Sequence, residues 1–84
     1  MKIPNNLTIG GHKIKVIIKE IDECGQLRRD KNEIWISNKI EVSQQEATLF
    51  HEIIHQLNSQ LNETMVDALA EQLYAVLKDN KMLK

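Results

Sequence analysis

The sequence predicts an α+β fold: a small antiparallel sheet of three to four strands followed by two packed helices. Three observations predict it. Up to about Ser43, apolar and polar residues alternate in short runs separated by turn residues. After Ser43, apolar residues recur at about 3.6-residue spacing. The 84 residues contain no internal repeat, low-complexity tract or linker, which points to one domain over residues 1–84.

The stretch "LTIGGHKIKVIIKEI" reads as a hairpin. Gly10 and Gly11 supply a turn that can take positive φ, and Ile14, Val16 and Ile18 alternate with lysines as a half-buried strand does. "DECGQ" reads as a loop around Gly25. "QLRRDKNEIWIS" reads as a second hairpin turning at Asp30 to Asn32, with Ile34 and Ile36 on one face and Trp35 on the other. Ser43 and Glu46 have the spacing of a capping box, opening a helix with a buried stripe of Ala47, Phe50, Ile54, Leu57 and Leu61, and Ile53 beside it. "NSQLN" breaks that helix. A second follows, capped by Thr64 with Asp67 or by Asn62, with Val66, Leu69, Ala70, Leu73 and Leu77 as its stripe.

Composition excludes several classes of function. The net charge of −1 gives no electrostatic case for nucleic acid or an anionic membrane, so neither is expected as a partner. No apolar run is long enough to span a bilayer, and the N-terminus lacks the apolar core of a signal peptide. The single cysteine, Cys24, has no internal disulfide partner, which fits a reducing, cytoplasmic setting.

The chemistry concentrates in "HEIIH", residues 51–55. Four residues advance a helix by about 400°, so His51 and His55 lie one turn apart on nearly the same face. Two imidazoles so placed can share one Zn²⁺. Glu52 sits beside that face, suited to act as a general base on a zinc-activated water in peptide-bond hydrolysis. The bland reading is a polar rim on a buried helix. The phase favours the metal, because each histidine follows an apolar stripe residue, Phe50 or Ile54, and so combines anchorage with access.

Catalytic zinc commonly has three protein ligands and an open position. Glu63 and Asp67 are the best-placed further candidates, four residues apart at the start of the second helix. If the helices pack stripe to stripe, both acids can converge on the histidines, and either could bind.

"HEIIH…NETMVD" resembles the gluzincin pattern, in which the helix after H-E-x-x-H carries N-E-x-x-x-D. The chain as a whole resembles short phage metallopeptidases of the ImmA/IrrE-like and SprT-like types, over roughly residues 7–80 and most closely from Glu33 to Asn80. The resemblance implies a minimal zincin core and a zinc-dependent metallopeptidase acting on a protein or peptide substrate. It implies Glu63 as third zinc ligand and Asp67 as the orienter of a ligand histidine. The alternative is an inactive zinc-binding interaction or regulatory module on the same scaffold. The chain departs from the pattern in its short interhelical segment and in having no clearly placed oxyanion donor.

Other residues carry weaker expectations. His12 reads as a surface turn histidine, and Tyr74 as core or cleft wall. Trp35 reads as a core anchor or an exposed contact. If Glu33 to Ser37 forms the sheet edge, it could hold an extended peptide by strand addition.

Overall fold

The computed structural model describes residues 1–83. Four strands, β1 (Asn6–Ile9), β2 (His12–Lys19), β3 (Gly25–Arg28) and β4 (Glu33–Ser37), precede two helices, α1 (Val42–Leu57) and α2 (Glu63–Asp79). The α+β class and the strand-then-helix order are those the sequence predicts.

The sheet is mixed, in the order β1-β2-β4-β3. Both hairpins form antiparallel, and Gly10 and Gly11 take φ of 57° and 80° at the first turn. The departure from an all-antiparallel sheet lies between the hairpins, where β2 pairs parallel with β4. Alternation fixes which face a residue takes but not which strand lies next door. The inserted strand is the apolar one: Ile34 and Ile36 are fully buried at the centre, while short, more polar β3 takes the edge. Glu33–Ser37 is therefore not the sheet edge.

One face of the sheet carries the core. Ile14, Val16, Ile34 and Ile36 pack with Leu49 of α1, and Met1, Ile3, Leu7, Leu27 and Ile53 close around them. Ile18, expected in the same row, is 45 % exposed. Helix α1 packs on the sheet, and among the described elements α2 packs on α1 alone. So α1 buries two sides. Leu49 and Ile53 meet the sheet, and Phe50 of the predicted stripe meets Tyr74 of α2 with ring centroids 6.0 Å apart. Leu57, the stripe residue that ends α1, is exposed. Helix α2, with one neighbour, buries only Val66 and Ala70 and leaves Leu69 and Leu73 in solvent. No helix of the described residues is long and apolar enough to cross a membrane.

The helix starts differ from the sequence reading in an informative way. Helix α1 begins at Val42 after Glu41, without a side-chain cap, so Ser43 and Glu46 form no capping box. Glu46 turns inward, where it accepts from the Tyr74 hydroxyl and pairs with the Met1 α-amino group at 3.0 Å. Burial pushes its carboxyl up, but the Tyr74 hydroxyl, the α-amino group and Lys78 together hold it below the ordinary value. At α2, the Asn62 side chain accepts from the Met65 amide at 2.9 Å, so Asn62 is the cap and Asp67 is left free.

Tyr74 is the only tyrosine in the chain. Burial, then its hydrogen bond to Glu46 and that carboxylate's charge, pushes its pKa up to about 12. A raised tyrosine pKa means that folding favours the neutral phenol. That contribution is complete below the unfolded value near 10 and is lost as pH rises through about 12. Ultraviolet absorbance titration of the native protein should show one phenol ionising near 12; ionisation at the unperturbed value would contradict the Tyr74–Glu46 contact.

Candidate metal centre

The turn between α1 and α2 brings the start of α2 back against the end of α1, and four side chains meet there. The Nε2 atoms of His51 and His55 lie 3.1 Å apart. The Glu63 carboxylate reaches both, with Oε1 at 2.6 Å from His51 Nε2 and Oε2 at 3.0 Å from His55 Nε2. On the far side of the His51 ring, Asp67 Oδ1 stands 2.9 Å from Nδ1. The imidazoles are largely buried in the wall of α1, whereas Glu63 and Asp67 approach from the solvent side.

This donor set suits a cation. If His51 donates its Nδ1 proton to Asp67, its Nε2 presents a lone pair to the point where His55 Nε2 and the Glu63 oxygens also converge. Electron-rich atoms facing one another are drawn together by a positive ion between them. Zinc bonded at about 2.0–2.1 Å in tetrahedral geometry separates its ligands by roughly 3.3 Å. The observed separations of 2.6, 3.0 and 3.1 Å are slightly tighter and need only small side-chain adjustments to match.

Glu52 lies on the adjacent face of α1. It is 6 % exposed, and one of its oxygens groups within 4.8 Å with nitrogens of His51 and His55. Burial pushes its carboxyl above the ordinary value, the two imidazoles oppose that shift, and Glu63 adds to it. A cleft of about 700 Å³ opens over this group. Its walls are β3 on one side and the first turns of α2 on the other, with His51, Glu52 and His55 between them.

The structure brings together His51, Glu52, His55, Glu63 and Asp67, all singled out from the sequence. His12 lies exposed at the start of β2, outside the cluster. Tyr74 is tied to Glu46 and does not line the cleft. Cys24 is an exposed thiol on the cleft wall.

Three contributors escape sequence reading. Gly25, expected in a loop, is the first residue of β3 and lies against α1 beside Glu52. A Cβ there would meet Thr48 Cγ2 at 2.5 Å and Glu52 Oε2 at 3.1 Å. Thr48, buried, is the other half of that contact. Arg29 donates to the His55 carbonyl at 3.0 Å and ties the β3–β4 turn to the end of α1. Each depends on which strand lies over α1, and no local pattern encodes that.

No protein-family model matches this chain, and neither the curated proteins nor the solved structures searched provide a match.

The contact at Gly25 gives a direct test of how closely β3 approaches α1. Gly25→Ala should destabilise by about 1–3 kcal/mol in chemical denaturation, through overpacking against Thr48. Thr48→Ser removes the opposing methyl and should restore much of that loss in the double variant. No loss in Gly25→Ala, or no rescue, would mean that the strand stands farther from the helix.

Proposed function

We propose that this protein is a zinc-dependent metallopeptidase. His51, His55 and Glu63 hold the ion, Glu52 is the general base, and Asp67 positions His51. The observation that carries this reading is the meeting of three nitrogen and oxygen donors from two helices at one point, with a buried carboxylate beside them and a cleft above.

A bound zinc would supply Lewis acidity toward a peptide carbonyl and make a water at the open position acidic near neutral pH. The other roles belong to the chain. Asp67 accepts from His51 Nδ1, which fixes the tautomer and keeps Nε2 available as a ligand. Glu52 takes a proton from the attacking water and returns it to the amine nitrogen as the C–N bond breaks. Edge strand β3, which walls the cleft, offers its free backbone groups to an extended peptide by strand addition. Arg29 holds the end of that wall to α1. An unpaired, exposed thiol at Cys24 suits a reducing compartment, and we place the protein in the cytoplasm.

One observation favours a second reading, an inactive zinc-binding module. The Tyr74 hydroxyl is held by Glu46, away from the cleft, and cannot serve there as an oxyanion donor.

Zinc-loaded wild type and Glu52→Gln, incubated with a complex peptide mixture and read by mass spectrometry, separate the two. The peptidase reading expects new peptide termini with wild type and a fall of about 10²–10⁴ in rate with Glu52→Gln, at unchanged zinc content. Equal cleavage by both proteins would sink the role of Glu52. Zinc retained without any cleavage would favour the binding module.

A further inference from the structure

The small net charge hides a segregation. Residues 1–40 carry eight cationic side chains against five carboxylates, a balance of +3. Residues 41–84 carry three against seven, a balance of −4. Charge asymmetry between the halves of a chain is a signal that the net value of −1 conceals.

The positive half is concentrated on the sheet face that points away from the helices. Because Ile14 and Val16 point into the core, Lys13, Lys15, Ile17 and Lys19 point out. Trp35 lies outward between buried Ile34 and Ile36, and register places it beside Ile17 on one side and Gln26 on the other. Arg28 and Lys31 complete the surround. Helix α1 covers the opposite face and α2 covers only α1, so no described element packs over this one.

Three cations crowd the single indole, with Lys19 Nζ at 3.9 Å from the ring centroid, Arg28 Cζ at 4.6 Å and Lys31 Nζ at 5.5 Å. The carboxylates recorded around Trp35 are already engaged: Glu33 accepts from the indole nitrogen at 2.8 Å, Asp30 pairs with Arg28 at 3.5 Å, and Glu23 accepts from Gln26. Among the described residues, no carboxylate lies within ion-pair distance of Lys13, Lys15, Lys19 or Lys31.

We propose that this outer sheet face binds single-stranded nucleic acid. From Lys13 to Lys19, β2 presents a row of ammonium groups over about 20 Å, long enough for several phosphates of an extended strand. Lys19 and Lys31 contact the indole and pair with no acid, so they can pass to phosphates while a base stacks on the ring face they leave. An acidic peptide would use the lysines but has no group for the indole. A duplex presents its bases edge-on and cannot stack on an open sheet. Arg28 and Gln26 also line the cleft, so this face meets it along β3, but the inference does not depend on the peptidase reading.

The sole tryptophan gives the readout. Wild-type protein titrated with a short oligothymidylate at low ionic strength should show saturable quenching of Trp35. With about three phosphates engaged, log affinity should fall against log salt with a slope of about −2. Lys15→Glu combined with Lys19→Glu should weaken binding by about tenfold or more, whereas Lys81→Glu, on the helical side, should leave it within about twofold. Circular dichroism checks the fold of each variant, and the wild-type titration stands even if the double variant does not fold. No quenching in wild type, an equal response to polyglutamate or to duplex DNA, or equal losses in folded Lys15→Glu/Lys19→Glu and Lys81→Glu would overturn the proposal.

Discussion

The centre depends on how closely two helices approach. His51 and His55 project from α1 and Glu63 from α2, so their atoms meet only if α2 lies tightly along α1. Val66 and Ala70, the two buried residues of α2, are small enough to allow that approach. Phe50 with Tyr74, and Tyr74 with Glu46, join the same helices on another side of the contact. Among the described residues helix α2 packs against no other element, so its position, and with it Glu63 and Asp67, rests on this one interface.

The sheet does the complementary work. By placing its most apolar strand at the centre, it fixes α1 through Ile34, Ile36 and Leu49. It leaves β3 as one of the two edges, and Gly25 lets that edge close on Glu52. The cleft is therefore a gap between two thin walls, β3 and the start of α2, over a firmly packed floor. Asn62 links helix capping to this arrangement: by occupying the cap, it leaves the Asp67 carboxylate for His51.

The local features were legible because they are governed by local physics. Turn chemistry at Gly10–Gly11 gave the first hairpin, alternation at Ile34–Trp35–Ile36 gave the facing of β4, and the i, i+4 spacing gave the histidine pair. Glu63 and Asp67 were found by combining spacing with stripe-to-stripe packing. Features set by tertiary neighbours were not legible. Parallel pairing of β2 with β4 has no signature in either strand, and Glu46 has cap-like spacing but is taken by Tyr74 and Met1. The α2 stripe appeared wider than the part buried because periodicity cannot say how many neighbours a helix has. The net charge likewise averaged over two halves of the chain with opposite sign.

Metal content and thermal unfolding, measured on purified wild type and Glu63→Ala, each with zinc and with chelator, would decide whether His51, His55 and Glu63 hold an ion. Wild type should hold about one zinc per chain, with a melting temperature that falls on chelation, and Glu63→Ala should retain it weakly or not at all. Wild type that takes up no zinc after reconstitution, and melts at the same temperature with and without chelator, would contradict that ligand set.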